Sequence, residues 1–207
     1  NRVERPSKSW PDYDKYLDAN LFPSDILTDQ VLERSLSNER VQSIRAAIKN
    51  IGTNCDGISI EYYVPWDRSD IVSKESVDLI LSHSVLEHVN DLKLTYKSCY
   101  RWLKPQGYMS HQIDFRSHGT AVEWNGHWSY SDIIWKIILG KRPYLINRQP
   151  RSVHVKLIKD SDFNVICDLS KYSENGITRN QLAASWEHLS DDDLRCPGIF
   201  VQAQKPQ

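Results

Sequence analysis

The sequence predicts an α/β domain, and three observations carry that expectation. A largely apolar run at residues 76–83 (SVDLILSH) is followed by a helical stretch over 90–103 and, directly after its stop, a further strand at 108–114. Strand, helix and strand in that order make a βαβ crossover, which requires parallel strands and a right-handed connection. The near-continuous apolar character of 76–83 suits a strand covered on both faces of a parallel sheet. Finally, 207 residues with 40% hydrophobic and 26% charged content suffice for one globular domain with a real core.

The elements follow in chain order. Residues 1–20 are polar and aromatic, with Pro6, Trp10 and Pro11, and lack a sustained apolar period, so they read as an arm or loop. Over 28–50, Val31, Leu32, Leu36, Val41, Ile44, Ala47 and Ile48 recur at mostly helical spacing. One or two helices are expected there, with Asn38 as N-cap of the second and an end near Gly52. Residues 58–64 (ISIEYYV), β-branched and aromatic between Gly57 and Pro65, predict a strand. After the strand at 76–83, Asn90 caps a helix through Leu92, Leu94, Tyr96, Cys99 and Trp102, which Lys104, Pro105, Gln106 and Gly107 stop before the strand at 108–114.

A Trp-rich stretch, 119–150, then looks inserted between core elements and holds a helix over 129–139. Residues 153–159 fit the end of a helix or a short strand, while 163–168 and 199–203 read as strands. Trp124, Trp128 and Trp135 could form an aromatic platform for an acceptor. At spacings of four and seven they equally suit one helix face packed on the core, the commoner use of such a pattern.

Composition narrows the function classes. A net charge of -1 gives no basic excess for tracking phosphates, so no nucleic-acid partner is expected. The short basic patch of Lys141, Arg142, Arg148 and Arg151 reads as a solvated loop. Cys55, Cys99, Cys167 and Cys196 form no CxxC pair, which indicates neither a zinc site nor a disulfide framework. The longest apolar stretch, 133–139, is interrupted by Lys136 and too short to span a bilayer. With no signal-peptide pattern, the expected location is cytoplasmic, although Asn1 is not an initiator methionine.

Residues 76–114, SVDLILSHSVLEHVNDLKLTYKSCYRWLKPQGYMSHQID, resemble the middle of class I S-adenosylmethionine-dependent methyltransferases of the methyltransferase-domain type. The shared features are V-L-E-H after a strand, a helix, an L-K-P-x-G turn and a further strand. Gln106 stands where the family usually has glycine, a departure that bears on turn geometry rather than chemistry. More weakly, HQIDFRSH (111–118) with the downstream YLINRQPRSVHVKLIKDSDFNVI is similar to a subgroup thought to act on surface carbohydrates or lipids. The resemblance implies a Rossmann-like sheet, largely parallel with an antiparallel C-terminal strand and helices on both faces. It divides the chain into an arm or cofactor-segment remnant at 1–27 and a methyltransferase-like domain at 28–207.

It also implies S-adenosylmethionine as cofactor and methyl transfer to a small acceptor, such as a carbohydrate or lipid hydroxyl. In an open parallel sheet, ligands sit beyond the C-terminal strand ends. Ser82, His83 and Ser84 occupy that edge, which by resemblance passes the methionine part of the cofactor. Asp67 matches the loop that receives the adenine, with Trp66 or Arg68 covering the ring; alternatively, Asp67 caps a turn after Pro65. Glu87 and His88 are expected to organise the loop beside the cofactor. His111, then His118, are the candidate bases for an acceptor proton, with Asp114 beside them. No metal is expected, since His83, His88, His111, His118 and Asp114 show no H-x-x-x-H spacing on a helix.

The family's glycine-rich turn, which lets backbone approach the cofactor, has no counterpart before residue 58, where Gly52 and Gly57 are the only glycines. The expectation is that the first central strands lie in residues this chain omits. Two other readings therefore stay open: a cofactor-free binding or scaffold module of the same fold, and a metal-dependent hydrolase using the His and Asp cluster.

Overall fold

The computed structural model describes residues 28–64 and 68–207, which fall into two compact units divided after Val64. In the first unit, α1 (Asp29–Ser35) and α2 (Asn38–Lys49) precede a hairpin of β1 (Asn54–Cys55) and β2 (Ile58–Ser59). The cap of α2 is Ser37, whose hydroxyl accepts from the Arg40 N–H at 3.3 Å, one residue ahead of the expected Asn38. Asp56 and Gly57 form the hairpin loop at φ 51° and 79°, the left-handed pair that an Asp-Gly two-residue turn supplies.

This hairpin corrects the strand expected over 58–64. Pairing stops after Ser59, apart from a Gly52 N–H to Ile60 carbonyl bond at 2.8 Å. Tyr62, Tyr63 and Val64 stay exposed. β-propensity reports how a residue fits a paired, half-buried surface, and these three have no neighbouring strand among the described residues. Gly57 is thereby committed to a hairpin rather than a cofactor turn.

The second unit is built on four strands, β3 (Val77–His83), β4 (Leu103–Asp114), β5 (Asn164–Lys171) and β6 (Gly198–Gln204), in the order β3-β4-β6-β5. β3 pairs parallel with β4, whereas β6 is antiparallel to both β4 and β5. Three strands therefore share a direction and the last is reversed between them, as the resemblance implies. Helix α3 (Leu92–Trp102) closes the β3–β4 crossover, and its N-cap is Asp91, which accepts from the Leu94 N–H at 2.8 Å. The β4–β6 region is joined by α4 (Asp132–Leu139), α5 (Arg151–Asp160) and α6 (Asp191–Leu194).

Alternation along the strands selects the core. Met109, His111 and Ile113 of β4 register with Ala203, Val201 and Ile199 of β6 on one face. Leu92, Tyr96 and Cys99 of α3 and Ile158 of α5 are buried in the same cluster, so both helices lie on that face. On the opposite face Leu79, Leu81, Tyr108 and Leu169 are exposed. β3 stands at the sheet edge among the described residues.

Two details bear on the family pattern. Between the pairs Val77–Leu103 and Leu79–Tyr108 the sheet accommodates residues 104–107 as a bulge, in which Gln106 adopts φ 65°. The left-handed region costs a non-glycine residue about 1–2 kcal/mol, which explains why glycine is usual here. Gly107 is required by space, since a Cβ would lie 2.9 Å from the Lys104 carbonyl oxygen and 3.1 Å from Leu103 Cδ2.

The tryptophans do not share a helix face. Trp128, in a 3-10 turn at Gly126–Ser129, is fully buried with Ile177, Trp186, Leu189 and Leu194 in a second core; Trp124 packs against it from a loop and Trp135 belongs to α4. No helix among the described residues is long and apolar enough to cross a membrane, and none of the four cysteines is in a disulfide.

Candidate active site

The C-terminal ends of β3 and β4 lie side by side, with His83 opposite Gln112 and the Ser84 N–H donating to the Gln112 carbonyl at 2.9 Å. Ser84, at φ 52°, turns the chain into a 3-10 turn at Leu86–His88. Asn147 fastens that turn. Its side-chain amide donates to the carbonyls of Leu86 and Val89, both at 2.8 Å, and its backbone N–H donates to the Glu87 carbonyl at 2.7 Å. Glu87 is thereby held inward, 2% exposed, with neither carboxylate oxygen hydrogen-bonded among the described residues. Burial raises its pKa above the ordinary carboxylate value.

Past β4, Asp114 accepts from the Arg116 N–H at 2.9 Å through one oxygen and lies 3.5 Å from His118 Nε2 through the other. His118 reaches back because it adopts φ 47° and is followed by Gly119 at φ 76°. The His118 ring meets His88 edge-on at a centroid distance of 5.0 Å. One donor atom each from Glu87, His88 and His118 lies within 4.8 Å of the others, a spacing that could hold a metal ion. An open recess of about 490 Å³ begins here, lined among others by Asp114, Ser117, His118 and Trp124. Behind Glu87, a cavity of about 10 Å³ reaches Asp114, His127 and Arg148, enough for one water-sized body.

Of the residues read from the sequence, Glu87, His88, Asp114 and His118 converge. His111 does not join them, which corrects its assignment as first-choice base. The two-residue strand period turns His111 toward α3 and leaves Asp114 on the other parity. It is 1% exposed, its Nδ1 lies 2.7 Å from Ser82 Oγ, its ring meets Tyr96 edge-on, and burial pushes its pKa down to about 4. Ser82, on the same face, is occupied with His111. His83 and Ser84 remain open to solvent at the strand edge. Arg68 forms an ion pair with Asp70, while Trp66 and Asp67 lie outside the described residues.

Arg148 and Asn147 are the site residues that sequence reasoning missed. The basic patch expected to be a solvated loop is one only in part: Lys141 and Arg142 are exposed, but Arg148 is 6% exposed. Its guanidinium lies 4.6 Å and 4.9 Å from the ring centroids of Trp135 and Trp186, and donates to the His127 and Tyr130 carbonyls and to Asp132. The only sequence signal was its position between tryptophan-rich segments.

A mixed sheet of this order, with acid and imidazole side chains gathered beyond two adjacent parallel strands, defines a Rossmann-like domain with its ligand crevice at the strand ends. Comparison with known proteins makes this specific. Residues 28–110 match the family model described as "Methyltransferase domain". The ubiquinone biosynthesis O-methyltransferase of Bartonella bacilliformis is 26% identical over 152 residues, covering 71% of this chain and 56% of that protein. That of Bartonella tribocorum is 26% identical over 168 residues, covering 79% and 60%. The chain thus spans somewhat more than half the length of these relatives. A solved S-adenosylmethionine-dependent methyltransferase from Methanosarcina mazei shares the fold at a TM-score of 0.50 and 17% identity, covering 83% of this chain and 79% of that one. Residues 28–110 are thus similar to the methyltransferase domain, and the chain shares the fold of an S-adenosylmethionine-dependent methyltransferase.

Proposed function

We propose that this chain takes part in methyl transfer from S-adenosylmethionine to a hydroxyl of a small molecule. The observation that carries the reading is the convergence of Glu87, His88, Asp114 and His118 at the ends of β3 and β4, against an open recess with room for an acceptor. The relatives named as O-methyltransferases support oxygen as the acceptor atom. A carbohydrate or lipid hydroxyl fits the recess flanked by Trp124, since an indole face suits the apolar side of a sugar ring.

The described residues fit the cofactor in part. His83 and Ser84 leave the strand edge open, but no strand pairs with β3 on the side away from β4 among the described residues, so no acid at the end of such a strand is there to hold ribose hydroxyls. When bound, the cofactor supplies an electrophilic methyl group. The chain's own residues would then orient the acceptor, and His118, steered by Asp114, is the group within reach of its proton. Calorimetry with S-adenosylmethionine and its demethylated product tests the reading. Binding of either at micromolar levels supports it, and no measurable heat with either removes it in favour of a cofactor-free module.

A further inference from the structure

We propose that Glu87, His88 and His118 form a binding site for one divalent transition-metal ion, with Asp114 behind His118. This goes against the expectation of no metal drawn from the sequence. That expectation rests on a set with His83, which is exposed on the strand edge, and His111, which faces the core. The structure removes both and adds a carboxylate.

Several independent features point to an ion. The donor atoms of the three residues lie within 4.8 Å of one another, so small side-chain rotations would bring them to a common centre. Glu87 is 2% exposed with both oxygens unpartnered, and His88 Nδ1 is also buried without a partner among the described residues. A buried polar group without a hydrogen bond is costly, and a carboxylate beside an imidazole nitrogen, both unpartnered, is a pair that one cation satisfies at once. A water in the small cavity behind Glu87 would serve that carboxylate from the side of Arg148 and His127, but leave His88 unserved. Asp114, 3.5 Å from His118 Nε2, stands where a carboxylate steers a ligating imidazole or adds a fourth ligand.

Two imidazoles and a carboxylate select the ion class. Nitrogen donors suit zinc, manganese or iron better than magnesium or calcium, which prefer all-oxygen shells. Three protein ligands leave coordination positions free, and the recess at His118 gives a small molecule access to them. Only the use of the ion rests on the methyl-transfer reading. An acceptor hydroxyl bound to it would be acidified by the cation, and His118 would then act as a ligand rather than a base.

The test is metal binding by the tag-free chain after chelator treatment and dialysis, without cofactor or acceptor, so it is separate from the calorimetry above. Titration with Co(II), followed by visible absorption and by competition with Zn(II), should show one ion per chain with weak d–d bands and no thiolate charge-transfer band. Glu87→Gln and His118→Ala should each weaken Zn(II) binding about 100-fold or more, since each removes a direct ligand where even an outer-shell partner is worth 10–100-fold. Replacing the exposed His188 by Ala should leave it unchanged. Should Glu87→Gln fail to fold by circular dichroism, His118→Ala decides alone, because His118 lies on a loop. The proposal is overturned by absence of binding, by parent-like affinity in the variants that fold, or by charge-transfer bands that put the ion on cysteine.

Discussion

The hydroxyl of Ser82 on β3 lies 2.7 Å from Nδ1 of His111 on β4, joining adjacent strands beneath the Tyr96 ring of α3. Tyr96 in turn bonds His154 Nδ1 at 2.9 Å, so the polar groups in this core link sheet, α3 and α5. The network gives His111 a structural part in the core, and under the proposed function the acceptor proton falls to His118 on the loop beyond β4.

That division is measurable in a pair of variants. His111→Ala opens a buried cavity and strands the Ser82 hydroxyl, and should cost about 2–4 kcal/mol in urea unfolding. His118→Ala should change stability by no more than about 0.5 kcal/mol, yet lower methyl transfer, once an acceptor is known, by about 10²-fold or more. The assignment fails if His111→Ala unfolds like the parent and instead abolishes turnover.

Acid should destabilise the protein earlier than its carboxylates alone require. Burial holds the imidazoles of His111, His127 and His154 neutral down to about pH 4, 3 and 3 respectively. Unfolded histidines take up protons from about pH 6.5 downward, so protons favour the unfolded chain across that window. The melting temperature should be highest above pH 6.5 and fall steadily toward pH 4; a flat profile there would contradict the burial of these rings.

Gln106→Gly should stabilise the chain by about 0.5–1 kcal/mol, because relief of a left-handed φ outweighs the added freedom of the unfolded state. The residue is exposed, and what it offers its neighbours is its backbone, which donates to the Lys205 carbonyl and accepts from the Gln204 side chain. Gln106→Ala keeps the strain and should gain nothing. Equal effects of the two substitutions would locate the cause elsewhere.

Arg148→Lys should cost about 3 kcal/mol, as for a buried charge that loses its fitted partners. A lysine ammonium cannot lie flat between the Trp135 and Trp186 rings while donating to the His127 and Tyr130 carbonyls and Asp132. Parent-like denaturant midpoints would show the stacking to be incidental.

The sequence by itself determined the β3–α3–β4 crossover, the reversed last strand implied by the family likeness, and the presence of Glu87, His88, Asp114 and His118 at strand ends. These depend on local periodicity, capping and strand order, which short windows of sequence encode. Tertiary structure alone decided the rest. The apolar run from Ile58 paired for two residues only, because a strand needs a neighbour that its own residues do not name. His111 and Asp114, three apart on one strand, went to opposite faces, and which face is the core depends on where α3 and α5 pack. Arg148 became a buried cation because two tryptophans distant in sequence, Trp135 and Trp186, close around it. Glu87 became a candidate ligand because Asn147, sixty residues on, holds its turn inward.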